Sequence, residues 1–214
     1  MIMKMNKNLL PVAKEGVVYV AFTAISVLVL VALDLEFLAF IATIITIAFI
    51  YSFRNPERSL PEFSDLSVLS VSDGVVKSID ELNEGEYAYK IEVESNFLDV
   101  GVLRTPFNAS LVKAVHQNGT KVSKKSELFL DLNEILELVF EDSNQNKIKV
   151  IHRVKQSFAP LYLDAIELQK LRQTSRYGMM LNGVTTLYFP SNFRVNVSVG
   201  NELKASESLM GYFS

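Results

Sequence analysis

An α+β fold, with a pair of apolar helices ahead of a β-rich domain, is what this sequence predicts, and three observations predict it. Two uncharged apolar runs of 17 residues, 17–33 and 37–53, stand near the N-terminus with only Asp34, Leu35 and Glu36 between them. From Leu66 onward, apolar and polar residues alternate with period two in short stretches bounded by Asp-Gly, Asn-Gly and other polar turns. Helical spacing recurs there only in a short stretch after Pro160, where Leu161, Tyr162, Ala165, Ile166, Leu168 and Leu171 stand three and four apart. A chain of 214 residues has room for one such domain and an appendage.

The composition narrows the function. Hydrophobic residues make up 49% of the chain, and the excess sits at the N-terminal end. A net charge of -3 argues against a nucleic-acid partner. With no cysteine there is no disulfide, thiol nucleophile or thiolate metal site. The two histidines, His116 and His152, show no metal-binding spacing, so no metal is expected and general bases are scarce.

Taken in order, each apolar run is at the short end of what crosses a bilayer, where about 20 residues are usual. Lys4, Lys7 and Lys14 precede the pair, Arg54 and Arg58 follow it, and the turn carries only Asp34 and Glu36. That distribution predicts a multi-pass anchor in the cell's inner membrane, with both ends and the soluble domain in the cytoplasm. No small-x-small cleavage signature precedes Asp34, which argues against a signal peptide. Uncharged faces all round argue against a buried soluble hairpin. Pro56 and Pro61 make 54–61 a stiff connector, and its arginines can reach lipid phosphates or serve as juxtamembrane anchors. The domain is then 62–214. Within it, 66–79 reads as strand, Ser-Asp-Gly turn, strand, and His116 as a surface histidine at a strand end entering the Asn118-Gly119 turn. His152 alternates with Val150 and Val154 on one strand face. Residues 176–190 read as strand, sharp turn, strand, and 193–209 as a half-buried hairpin around Gly200 in a small β-barrel of barrel-sandwich type.

The order of several short motifs resembles the phosphatidylserine decarboxylase family in its short, membrane-anchored form. Residues 53–61 are similar to the family's aromatic-Arg-Asp-Pro-x-Arg-x-x-Pro linker, with Asn55 at the aspartate place, and Asp73-Gly74 resembles its Ala-Asp-Gly turn. Asp99, Val100, Arg104 and Pro106 match the Asp-Val-His-x-Asn-Arg-x-Pro motif, with Gly101 and Leu103 in the histidine and asparagine places. Asn133 and Glu134 match an Asn-Glu-Arg segment that ends here in Ile135, and Gly178, Gly183 and the strand closed by Pro190 match the C-terminal series. Ala159, Pro160 and Leu161 stand near where the family carries paired arginines.

The resemblance implies a chain that cuts itself at a Gly-Ser bond under an Asp-His-Ser triad, turning the serine into the pyruvoyl group that decarboxylates phosphatidylserine. Asp73 occupies the triad's aspartate place. Gly183, however, is followed by Val184, and 178–190 is one residue short, so the serine is replaced or deleted. Valine has no oxygen with which to attack the preceding carbonyl, and Gly101 cannot carry a proton. Thr185 and Thr186 are the nearest hydroxyls, and neither directly follows a glycine. The expectation is a phosphatidylserine decarboxylase-related protein of phospholipid metabolism, unprocessed, inactive and without a pyruvoyl group. Its expected partner is membrane phospholipid, phosphatidylserine first, with a homo-oligomer left open. Two alternatives stand beside it. One is an active decarboxylase with an atypical cleavage site; the other is a non-enzymatic membrane-periphery adaptor resembling biotinyl and lipoyl carriers.

Overall fold

In the N-terminal part, uninterrupted apolar side chains leave a backbone free to satisfy itself only as helix, and two helices form: α1 (Lys14–Ala32) and α2 (Glu36–Ser52). The computed structural model describes residues 11–58, 63, 64 and 66–214. Asp34 turns the chain between the helices in the left-handed region, at φ 56°. Their hydroxyls return to the helix: Ser26 Oγ donates to the Phe22 carbonyl and Thr43 Oγ1 to that of Ala39. The base of the pair is closed by the Ala13 amide donating to the Phe53 carbonyl and the Asn55 amide to that of Pro11, both at 2.7 Å. A side chain at Gly16 would run into the Phe53 ring, so glycine permits the close approach there. Among the described residues α1 alone, with 19 residues, is long and apolar enough to cross a membrane by itself; α2 has 17. Lys4 and Lys7, and the connector residues 59–61, lie outside the described residues.

The chain divides into two compact units, the first ending at Glu57 and the second running Arg58–Ser214. In the second, β-branched and aromatic alternation gives 14 strands and one helical turn among the described residues. In chain order they are β1 (Ser67–Leu69), β2 (Gly74–Glu81), β3 (Tyr89–Glu94), β4 (Val102–Arg104), β5 (Ala109–Gln117), α3 (Phe129–Leu132), β6 (Ile135–Glu141), β7 (Lys147–Val154), β8 (Tyr162–Leu163), β9 (Lys170–Leu171), β10 (Arg176–Met179), β11 (Gly183–Phe189), β12 (Phe193–Val195), β13 (Glu202–Leu203) and β14 (Leu209–Phe213). An eight-stranded sheet in the order β13-β2-β3-β11-β7-β6-β5-β9 is joined by two three-stranded sheets, β1-β14-β12 and β4-β10-β8. The expected barrel is not closed: β13 and β9 are the two ends of the large sheet. β7 alternates buried and half-buried residues along its whole length, and Val150 and Val154 join Ile91, Leu138, Phe140 and Leu187 in the core.

Residues 176–190 give strand, turn and strand as the sequence predicts, with Asn182 at φ 57° in the turn. β10 joins β4 and β8, while β11 pairs over six residues with each of β3 and β7. Two local expectations are corrected. Residues 193–209 are not a hairpin, because β12 pairs with β14 and β13 with β2. The helix expected after Pro160 is absent. The Asp164 amide goes to the Tyr177 carbonyl and the Leu168 amide to that of Leu111, each at 2.7 Å, so long-range partners take the donors a helix would need.

This topology fixes where loops meet. β3 and β7 both run antiparallel to β11, and β2 and β6 run antiparallel to them. Consequently the start of β11, the ends of β3 and β7, and the starts of β2 and β6 gather at one end of the large sheet.

Candidate functional site

Asp73 and Gly183, far apart in sequence, meet at that end through Ser95. The Ser95 amide donates to the Gly183 carbonyl at 2.9 Å, and its hydroxyl donates to the Asp73 carbonyl. Gly74, at φ 148°, packs so close that a Cβ there would lie 2.5 Å from the Glu94 carbonyl oxygen. The Asp73 carboxylate is fully committed: Oδ1 accepts from the Ala205 amide at 2.8 Å and Oδ2 from Arg58 Nη2 at 2.7 Å. Arg58 also reaches Glu207 at 3.2 Å, and its side chain is only 8% exposed. The arginine expected to reach lipid phosphate is therefore held inside the domain by two carboxylates. Arg54 stacks over the Tyr51 ring at 4.1 Å.

Gly101 lies against the segment leading into Gly183. Its carbonyl accepts from the Met180 amide at 2.8 Å. A Cβ there would lie 2.6 Å from Leu181 Cδ2 and 3.0 Å from the Met180 carbonyl oxygen, so any side chain at 101 requires Leu181 to shift. Val184 is buried and pairs with Glu94 and Arg153. Arg104 donates to the Thr174 carbonyl at 3.2 Å. Its pKa is lowered by desolvation first and then by the neighbouring Arg58 and Arg176, with Asp73 and Glu207 opposing. Asp99 is spent locally, accepting from the Asn96 amide at 2.7 Å. Of the residues singled out, Asp73, Gly101, Gly183 and Val184 come together with Ser95, and Arg104 lies near Asp73 and Arg58; Asp99 serves its own surroundings.

Asn133 and Glu134 are pins. Asn133 ties the 120–134 loop to the Val122 and Val154 carbonyls at 2.8 and 2.7 Å, and Glu134 Oε1 accepts from the Leu161 amide at 3.1 Å. Glu134 also holds His116 Nε2 at 3.0 Å, which gives the strand-end histidine a partner that its position alone does not reveal.

His152 is the residue that sequence reasoning undervalued. It is wholly enclosed, with Nδ1 2.9 Å from Thr185 Oγ1 and Nε2 2.7 Å from the Tyr177 hydroxyl. Ser72 Oγ donates to Thr185 Oγ1 at 3.3 Å, so a chain of hydroxyls and imidazole runs from beside Asp73 into the core. Burial pushes the imidazole pKa down to about 3 and the Tyr177 phenol well up, so both are neutral. Alternation along β7 is the signal that put His152 on an inward face; its partners come from β10 and β11, whose register sequence does not show.

Beside Gly183 a cleft of about 680 Å³ opens, lined by Glu94, Asn96, Phe97, Lys124, Lys155 and Asn182 among others. Glu94 sits between two cations, with Lys155 on Oε1 and Lys124 3.3 Å from Oε2; Lys124 also reaches Glu92. Burial raises the Glu94 carboxyl, but hydrogen bonds and charge from Lys155, then Lys124, outweigh it and hold the pKa below the ordinary value. A site with two ammonium groups and a carboxylate has polar partners of both signs for a zwitterion. Among the described residues no cluster of three metal-ligating side chains occurs.

Comparison with known proteins bears on what this end of the sheet descends from. The phosphatidylserine decarboxylase family model matches residues 45–211. A phosphatidylserine decarboxylase proenzyme of Desulfotalea psychrophila is 30% identical over 207 residues, covering 94% of this chain and 96% of the relative. Proenzymes of the same description from Geotalea uraniireducens and Ehrlichia chaffeensis are 28% and 25% identical, over 96% and 93% of this chain and 98% and 90% of theirs. The chain belongs to the phosphatidylserine decarboxylase family.

Proposed function

We propose that this chain is a membrane-anchored member of the family that stays uncut and recognises an aminophospholipid headgroup without decarboxylating it. The observation that carries this reading is the pairing of Val184 after Gly183 with Leu181 and Met180 packed against Gly101. No hydroxyl directly follows the glycine, and Gly101 offers no proton-carrying side chain beside it, so the residues present do not fit a pyruvoyl group at this position. The cleft beside Gly183 supports the binding half of the reading. Lys124 and Lys155 suit the phosphate and carboxylate of a phosphoserine headgroup and Glu94 suits its ammonium, each exchanging an internal partner for a ligand group. The chain's place in phospholipid metabolism would then be that of a phosphatidylserine-binding scaffold or regulator. The helices α1 and α2 would both cross the inner membrane, with the domain in the cytoplasm: Lys14 and Arg54 stand at the paired ends, and Asp34 and Glu36 at the turn.

A second reading is favoured by one contact. Thr185 Oγ1, one residue beyond Val184, lies 2.9 Å from His152 Nδ1, a hydroxyl and a base within hydrogen-bond reach. On that reading the chain cuts itself at the Val184–Thr185 bond. Its depressed basicity makes His152 a poor base, and both ladders of β11 hold that bond in the middle of the sheet.

Intact mass spectrometry of the purified full chain separates the two. The first reading expects one species at the uncut mass, with glycerophosphoserine binding weakened at least tenfold by Lys155→Met. Two fragments joining to the whole at 184/185 would establish the second reading and overturn the first. One uncut species with binding unaffected by Lys155→Met would leave the family scaffold but sink the cleft assignment.

A further inference from the structure

Arg153 stands beside the cleft without a polar partner. It and Glu94 pair with Val184 from opposite sides of β11, so the three side chains share one face of the large sheet, and Lys155 follows on that face two residues along. The Arg153 Nε is buried with no hydrogen-bond partner, and no carboxylate among the described residues forms an ion pair with the guanidinium. Tyr188, Glu92 and Asp131 bear on it by charge alone, and Glu92 is already paired with Lys124. What covers the guanidinium is the Phe129 ring, whose centre lies 5.6 Å from Cζ. A buried donor left unsatisfied in this way is unfavourable and calls for a reason.

The loop that carries Phe129 has a closed neck. The Thr120 amide donates to the Leu132 carbonyl at 2.7 Å and the Glu134 amide to that of Thr120 at 2.9 Å, while the Asn133 side chain bonds both the amide and the carbonyl of Val122. Residues 121–132 thus form an Ω-shaped loop that can tilt about its neck while the sheet stays whole. Two attachments seat its tip. Lys124 pairs with Glu92 and Glu94, and Phe129 is buried against Arg153 while Leu128, Leu130 and Leu132 around it are exposed. A phosphate in the cleft competes for Lys124 and so loosens the first of them. We propose that Arg153 is a phosphate-binding residue of this cleft, covered by Phe129 in the free chain and uncovered when the ligand draws Lys124 from Glu92 and Glu94. Lifting the loop carries the Asp131 carboxylate away from the guanidinium, whose planar fork then takes two phosphate oxygens. The inference rests on the headgroup reading of the cleft and deepens it by naming the residue that holds the phosphate and the loop that admits it.

The chain has no tryptophan, so Phe129→Trp reports on the loop alone. Glycerophosphoserine, inorganic phosphate, or chloride at matched ionic strength is added to that variant of the full chain in detergent. The expected result is a saturable red shift of the emission with at least twofold stronger acrylamide quenching for glycerophosphoserine, the same response to inorganic phosphate only at about tenfold higher concentration, and none to chloride. Arg153→Gln in the same background should raise the half-saturating concentration at least tenfold. A shift that chloride reproduces, or one that Arg153→Gln leaves undiminished, overturns the proposal. Arg153→Lys keeps the charge without the fork and guards against a loss of fold; it should weaken the response severalfold, and an unweakened response also overturns the proposal. Glycerophosphoserine binding that Lys155→Met weakens, with no change in emission, sinks this inference and leaves the cleft reading standing. A response to inorganic phosphate alone sinks the aminophospholipid reading and leaves Arg153 as the ligand of a free phosphate.

Discussion

His152 shows what one buried side chain can decide. Its imidazole stays neutral in the folded chain to about pH 3 because burial disfavours the charge, while in the unfolded chain it titrates near its ordinary value of 6.5. Between those two values the unfolded state holds a proton that the folded state lacks. Stability from this site is therefore full above pH 6.5 and is lost as pH falls, by up to about 1.4 kcal/mol per pH unit. Urea midpoints in detergent at pH 6.5 and 4.5 should show the native chain losing roughly 2 kcal/mol more than His152→Gln across that interval. Equal losses would mean that His152 is hydrated. That His152 shares a strand face with Val150 and Val154 was legible from alternation along β7; its full burial and its Thr185 and Tyr177 partners were not, because they depend on which strands become neighbours. The same holds for Arg58, which looked like a surface anchor and proves to be bound by Asp73 and Glu207.

At the scale of elements, strands were legible and their pairings were not. Alternation and turn residues locate β2, β3, β5, β7 and β11 well, since both are local properties of the chain. Gly200 then suggested a hairpin, but β12 pairs with β14 and β13 with β2 instead. The segment before β4 illustrates the consequence for the site. Gly101 is in contact with Met180 and Leu181 only because β10 pairs with β4. Gly101→His should therefore overpack that contact and lower stability by about 1–3 kcal/mol, read as a fall in the thermal midpoint. A variant as stable as the native chain would show that the position still has room for the family's histidine, and would weaken the case for an uncut, inactive protein.

At the scale of the molecule, the two units are built differently. α1 and α2 are apolar along their length and return hydroxyls to their own backbones, whereas the second unit builds a core between sheets. The absence of cysteine makes orientation measurable. In intact cells a membrane-impermeant thiol reagent should label Asp34→Cys from outside the inner membrane and Glu84→Cys only after permeabilisation; the reverse pattern would overturn the cytoplasmic placement. By itself the sequence determined the apolar helices, the β-rich domain, the family likeness, and the lack of a hydroxyl after Gly183, because each of these is written in residue identity or local period. Only the tertiary structure decided that Arg58 is bound by Asp73, that Met180 and Leu181 lie against Gly101, and that Lys124 and Lys155 flank Glu94 beside Gly183. Those depend on strand order and register, which the chain settles through contacts between residues distant in sequence, where local pattern carries no information.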